Sequence, residues 1–430
     1  TAQWFMAIQN PPHLSCIAPV DAVLDPYRDW AWRGGIASTE FQRWYEQEIR
    51  EAHAYPPPGT PPRYLEFDLR LQQLEHNLPD SWWLVRTALA SLDQAKVPVL
   101  QLGSFSGTLN SWMGTLTHLD SMPVGTHTFI SAAGTLLDKQ LFLDQELLAY
   151  YRWCFNGKPA SGPALQPPLR YQPANTEVSR SGTGWPPANI NFTPLFLQVA
   201  SETAVTNGNL MPSQNNLNRS STELGSNTQQ DSVTFRTAPL QENLDLAGPL
   251  RLELHLSSTA SDTAFSAELY EEIVQVQFPN ATPPIPTFLN PDISPDMELL
   301  TASRQILVSS GVLKASRRAL NSQPGSNTQT DYSYENPELL APGRVYRLDL
   351  ALDPAARQVK AGSRLVLKLS QISDASLRRS SRTDTVYHNP QYQSRLWLPL
   401  AANARLDFAA EVEEIRNNGL ETESSNSIFI

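Results

Sequence analysis

The sequence predicts a chain of two unlike parts, an α/β unit followed by a larger all-β unit, and three observations predict it. Residues 1–10 carry Trp4, Phe5 and Ile8 at i, i+1, i+4 spacing and read as a helix that Asn10-Pro11-Pro12 stops; 14–20 (LSCIAPV) then reads as a short buried strand, so helix and buried strand alternate. The buried-strand pattern returns at 97–102 (VPVLQL) and 127–130 (HTFI), before the strongest amphipathic helix, 137–154, which Asn156-Gly157 ends. Past about residue 160 the pattern changes to short β-rich runs between Pro, Gly, Asn and Ser clusters.

The first helix has no Ser, Asp or Asn ahead of its apolar periodicity, so the chain is expected to start inside an element whose beginning lies upstream. Residues 41–95 mix charged amphipathic helical pieces (FQRWYEQEIREAHAY, RYLEFDLRLQQLEHNL) with a Pro-rich joint at 56–62, the pattern of a helical insertion capping an α/β core. In the second part, 250–256 (LRLELHL), 266–269, 345–350 (VYRLDL) and 365–372 (LVLKLSQI) have strand character. So many strands over this length predict a sandwich or jelly roll. Segments 205–231 and 320–333, polar and rich in Asn and Ser, are expected as exposed loops, and acidic EVEEIRNNGLETESS as a solvated last strand and tail.

Composition narrows the function classes. The 430 residues are 40% hydrophobic and 17% charged, enough apolar material for two or three domains with their own cores. The net charge of −11, with no basic run longer than Arg378-Arg379, excludes phosphate-backbone recognition, so no nucleic-acid partner is expected. No stretch approaches 18 apolar residues, and no membrane anchor is expected. Cys16 and Cys154 form no CxxC pair and are too few for a zinc site or a disulfide framework; they are expected as separate buried thiols. The histidines show no i, i+4 pair or HExxH, so neither a metal nor any other cofactor is expected. Three N-x-S/T triplets, at Asn191, Asn218 and Asn280, hint at secretion and leave the compartment open.

The order of segments then becomes informative. YRD followed by GGI at 27–36, the run 231–272 (DSVTFRTAPLQENLDLAGPLRLELHLSSTASDTAFSAELYEE), LKASRRAL at 313–320, PGRVYRLDLAL at 342–352, AGSRLVLKLS at 361–370 and TVYHNPQYQSRLWLPL at 385–400 resemble the CocE/NonD serine hydrolases, the family of cocaine esterase, α-amino-acid ester hydrolases and X-prolyl dipeptidyl peptidases. The resemblance runs over essentially the whole chain. It implies an α/β-hydrolase core, incomplete at its N-terminus, over 1–44 and 93–158, a helical cap insertion over 45–92, and a C-terminal jelly-roll domain over 159–430.

The resemblance also locates the catalytic positions, and here the chain departs from the pattern. The family's nucleophilic Ser sits on a GxSxG elbow ahead of the helix matching 1–10, which puts it upstream of Thr1; Gly103-Ser104-Phe105-Ser106-Gly107 has Phe at its centre and is no elbow. The family's acid falls on Gly107 and its His on Thr135, in Ser131-Ala132-Ala133-Gly134-Thr135. Glycine has no side chain, and a Thr hydroxyl cannot accept a proton near neutral pH as imidazole does. His118, Asp120 and His127 lie near these positions but read as surface or helix-end polar residues, and His388 as a turn or domain-interface residue. Asp25, Arg28 and Asp29 form a charged cluster that reads as structural, an Asp paired with an Arg to fix a loop. Trp30, Trp32, Phe105, Trp82 and Trp83 are candidates to line a pocket between core, cap and β domain, with core packing the equal alternative. A core without its first strands would expose an apolar sheet edge, so the expected cover is the upstream N-terminal half, a partner subunit or a homo-oligomer contact.

Overall fold

The computed structural model describes residues 1–45, 68–104, 118–123, 125–131, 136–159, 167–176, 178–199, 207–213, 221–225, 230–277, 300–321, 330–372, 382–402 and 404–409. The α/β part opens on α1 (Ala2–Ile8), which turns Trp4, Ala7 and Ile8 inward. The Trp4 indole N–H donates to buried Gln101 at 2.9 Å, so the one polar atom of a fully buried ring is satisfied. After the prolines, Ile17 and Val20 make parallel bridges to Val99 and Leu102 of β1 (Val99–Ser104), which pairs in parallel with β2 (Thr126–Ser131) from Val99↔Thr126 to Ser104↔Ser131. Parallel strands with apolar residues on both faces need cover, and α1 with the one-turn helix at Leu89–Gln94 provides it on one face. On the other lies α5 (Leu136–Phe155), whose Tyr150 and Cys154 pack with Leu100, Leu102 and Phe129. Gly157, at φ +79°, ends this helix as its Asn-Gly pair predicts.

The two cysteines correct the sequence reading. Cys16 and Cys154 are joined in a disulfide, with Cα atoms 6.5 Å apart across 138 residues of sequence. Spacing cannot reveal such a pair: the parallel topology carries the chain away from Cys16 and brings it back on the helix that covers the same strand.

The sheet continues past residue 158. β3 (Leu169–Tyr171) pairs in parallel with β2, and β4 (Arg180–Gly182) pairs antiparallel with β3, giving the order β1-β2-β3-β4. Between the strand at 17–20 and β1 lie α2 (Thr39–Trp44), α3 (Leu69–Glu75) and α4 (Ser81–Leu84), started by Ser38, Asp68 and Asp80, each accepting a backbone N–H as an N-cap should.

The β part carries the remaining described strands: β5 (Ile190–Gln198), β6 (Asn207–Met211), β7 (Ser221–Gly225), β8 (Ser232–Arg236), β9 (Leu244–Ser258), β10 (Ala264–Gln277), β11 (Leu300–Lys314), β12 (Tyr346–Val359), β13 (Arg364–Gln371), β14 (Thr383–Tyr387) and β15 (Arg395–Ala401). They form one 11-stranded network in the order β11-β10-β13-β8-β6-β5-β15-β9-β14-β7, with β12 paired to β9. Period-two alternation explains the core: Leu250, Leu252, Leu254 and Leu256 of β9 are at most 1% exposed, and Leu348, Leu350 and Leu352 of β12 face the same way. Each such side chain contributes roughly 1.5–3 kcal/mol on burial. The β9–β12 register slips between Leu352 and Ala355, where Pro354 cannot donate to the ladder and Gly248-Pro249 stands opposite.

Two expected loops are corrected. The polar segment 205–231 carries β6 and β7, each held by long-range pairing and one buried leucine, Leu210 and Leu224. Within 320–333, Tyr332 is buried and bridges to Leu320. The acidic C-terminal stretch lies outside the described residues.

Candidate functional site

The loop leaving the carboxyl end of the strand at 17–20 is where an open α/β sheet places its chemistry. Asp21 N–H donates to Leu102 O at 2.9 Å, fixing the start of this loop beside β1. Pro26 then opens a single wide helical turn, Tyr27–Ala31, which buries Tyr27, Asp29 and Ala31. Asp25 Oδ1 accepts from the N–H groups of Tyr27 (3.0 Å) and Arg28 (3.2 Å), and its Oδ2 pairs with Arg28 Nη1 at 2.7 Å. Asp25 N–H in turn donates to Asp29 Oδ2 at 2.8 Å. The expected role of an Asp–Arg pair fixing a loop is what Asp25 and Arg28 perform.

The other oxygen of Asp29 faces a histidine. His118 Nε2 lies 3.3 Å from Asp29 Oδ1, with 13% of the His118 side chain exposed. His118 is therefore no surface residue; it stands at the start of the short helix Leu119–Ser121, the helix-end half of the sequence reading, and its partner Asp29 is 89 positions away. Burial works against the charged imidazolium, but the charge and hydrogen bond of Asp29, with Asp25 behind it, outweigh burial and hold the His118 pKa above its ordinary value. His127 shows the opposite balance: burial lowers its pKa, with no carboxylate to offset it. His388 is packed inside the β part, where its Nε2 lies 2.9 Å from Thr222 Oγ1 and its ring meets Phe235 edge-on.

Three of the five candidate aromatics, Trp32, Trp82 and Trp83, converge around Tyr27, and a fourth, Trp30, packs elsewhere in the same core. Tyr27 lies 5.6 Å from Trp83, 6.4 Å from Trp32 and 5.6 Å from Tyr334 of the β part, and Trp82 meets Trp83 at 4.6 Å. Trp30 packs on Phe41 at 4.7 Å. Trp32 and Trp83 are 7% and 3% exposed and belong to the main apolar core, so this cluster cements the loop, α4 and the β part together. Burial pushes the Tyr27 pKa up to about 12; its hydroxyl donates to Asn77 O, which keeps it neutral and structural. Phe105, Gly107 and Thr135 lie outside the described residues. β1 and β2 end side by side at Ser104↔Ser131, so Gly107 follows three residues after one strand end and Thr135 four after the other.

The loop is locked to the β part by backbone contact and charge. Gly34 sits at φ +55°, and a Cβ there would stand 1.8 Å from Val312 O, so only glycine fits. Next to it Arg33 forms an ion pair with Asp353 of β12. A cavity of about 160 Å³, bordered by Thr126 and Gly184, lies at the amino end of β2, away from Ser104 and Ser131. Among the described residues no group of three or more His, Cys, Asp or Glu is placed to hold a metal ion, and no helix is long and apolar enough to cross a membrane.

Residues 162–396 match the profile of the X-Pro dipeptidyl-peptidase C-terminal non-catalytic domain, and residues 1–132 that of the X-Pro dipeptidyl-peptidase (S15 family). The chain belongs to the CocE/NonD hydrolase family. A CocE/NonD family hydrolase from Staphylococcus aureus superposes with a TM-score of 0.69 at 20% identity, over 93% of this chain and 70% of that one. An aminopeptidase from a marine sediment Thaumarchaeota archaeon gives 0.65 at 13% identity, over 91% and 73%. An α-amino acid ester hydrolase gives 0.63 at 15% identity, over 92% and 74%. No curated protein matches by sequence. These likenesses establish the fold of this CocE/NonD member, an α/β-hydrolase core with a C-terminal β domain. The residue that sequence reasoning undervalued is His118, and the Asp29 of the YRD motif was its available signal.

Proposed function

We propose that this CocE/NonD chain is a hydrolase scaffold that has lost its acid–base machinery and is retained for binding or assembly. The observation that carries this reading is the pair Gly107 and Thr135, which occupy the positions where the family resemblance puts the acid and the histidine. Neither side chain can relay a proton near neutral pH. The finer architecture belongs to the same reading: a helical cap over 45–92 and a jelly roll that begins only after β4, the last strand of the core sheet, enclose the core. An upstream segment or a partner subunit covers the sheet edge at 17–20, where Val20 is 40% exposed and Ala18 is capped by the Gln3 amide at 2.9 and 3.3 Å. The test is fluorophosphonate labelling of the full-length protein, together with turnover of activated esters and X-Pro amides. No labelling and no turnover above a heat-killed control is the expected result, and stoichiometric labelling would overturn it.

One observation favours a second reading, an active serine esterase or peptidase acting on acyl esters or amides, with its nucleophile in a segment upstream of Thr1. The buried His118–Asp29 hydrogen bond is the kind of contact by which a carboxylate orients a general base. If the protein is labelled, His118→Asn should reduce turnover by about 10²–10⁴-fold; unchanged turnover would return His118 to a structural role.

A further inference from the structure

We infer that the protein matures in an oxidising secretory compartment and carries an N-linked glycan on Asn191. Two independent features meet in this inference. The first is the disulfide between Cys16 and Cys154, 8% and 4% exposed and 138 residues apart. It is neither a CxxC redox motif nor an exposed, exchangeable pair; it fastens a core strand to the helix that covers it. Bonds of this kind form and persist where the compartment is oxidising and are rare in the cytosol. Its formation removes two protons and two electrons from the thiols, taken up by a disulfide-bearing carrier protein that becomes a dithiol.

The second feature is the acceptor triplet Asn191-Phe192-Thr193 and where the fold leaves it. Asn191 lies near the start of β5 and is exposed. Its backbone is committed to the sheet: Ile190 pairs with Ala401 and Asn191 with Leu400, and beyond the strand end Ala402 N–H donates to Asn189 O at 2.8 Å. Its side-chain amide has no hydrogen bond among the described residues, so a substituent on Nδ2 displaces no native contact. The position lies at the rim of the β part, where a bulky polar group can extend into water. Asn218 and Asn280 lie outside the described residues.

The transfer is balanced without a redox partner. Asn191 Nδ2 bonds to C1 of N-acetylglucosamine in a lipid-pyrophosphate oligosaccharide, the C1–O bond to phosphate breaks, the amide gives up one proton and the lipid pyrophosphate leaves. The triplet is read on the extended chain before β5 pairs with β15, and the finished fold then keeps the glycan outside.

The test uses protein purified without reductant from the organism that makes it. Intact mass is measured before and after an N-glycosidase that converts a glycan-bearing Asn to Asp, the peptide holding residue 191 is sequenced by mass spectrometry, and thiols are alkylated before and after reduction. Expected are a fall in mass on digestion, Asp at 191, and two cysteines that alkylate only after reduction. Asn191→Gln from the same host should fold normally and lose the glycan from that peptide. An unmodified Asn191 peptide in the untreated protein overturns the glycan assignment, and two freely alkylated cysteines in the unreduced protein overturn the compartment.

Discussion

Glu271 of β10 and Asp29 of the YRD loop are both buried carboxylates where the α/β and β parts meet, 0% and 5% exposed, yet they are neutralised by different chemistry. Around Glu271 every acceptor site is used: Oε2 takes Arg357 Nε at 2.7 Å and Asn175 Nδ2 at 3.0 Å, and Oε1 takes Lys360 N–H at 2.9 Å. Asn175, at φ +67°, belongs to the turn that links β3 and β4 of the core sheet, so this carboxylate staples the two parts together. Asp29 is met instead by a backbone N–H and by His118. Arginine stays charged at any pH a protein tolerates, whereas histidine titrates near neutrality. One buried acid is thus a permanent fastening and the other is conditional on pH.

The comparison breaks most sharply at the permanent site. Glu271→Ala would strand the Arg357 guanidinium in the interior, an uncompensated buried charge that costs about 3–5 kcal/mol. Urea unfolding of the purified chain at neutral pH should show that loss. A loss under about 1 kcal/mol would mean that water or a neighbouring acid reaches Arg357 and that the staple is not closed.

The disulfide is the covalent counterpart of that staple within the core. Cys154→Ser should lower stability by about 2–5 kcal/mol, because the bond removes conformations from an unfolded chain whose ends are otherwise far apart. Unfolding midpoints with and without reductant check this: the wild-type protein should fall toward the variant when reduced, and the variant should not respond. A reductant effect of similar size in both would place its cause elsewhere.

What the sequence made legible follows from how local each signal is. α1, β1, β2 and α5 could be placed from periodicity and their Pro or Gly stops, and the leucine ladders of β9 and β12 from alternation. β6 and β7 could not, because in an Asn-rich run each is held by backbone pairing, β6 with β5 and β8 and β7 with the distant β14, rather than by its own apolar pattern. The Cys16–Cys154 bond and the His118–Asp29 contact were hidden for one physical reason: in a parallel sheet, neighbours in space are separated by whole crossovers in sequence. The triad positions, in contrast, rest on motif matching. The parallel ladder at Ser104↔Ser131 sets the two strand ends from which Gly107 and Thr135 are counted.

The conditional site makes the finest distinction. An unfolded histidine titrates near pH 6.5. In the folded chain burial resists the His118 charge, but Asp29 overcomes it and raises the pKa. A raised folded-state pKa means that the native state holds its proton more tightly than the unfolded one. The stabilisation is therefore complete below about pH 6.5 and is lost as pH climbs through the raised value. Unfolding free energy measured from pH 5.5 to 9 should decline across that window in the wild-type protein. In Asp29→Asn, which keeps an acceptor for Asp25 N–H but removes the charge facing His118, the same series should be flatter. Glu271→Gln serves as the control, because it leaves the His118–Asp29 pair untouched and the slope should survive even though overall stability falls. If Asp29→Asn and wild type decline in parallel, another group carries the pH dependence and His118 is neutral throughout, its hydrogen bond to Asp29 then being an ordinary buried contact.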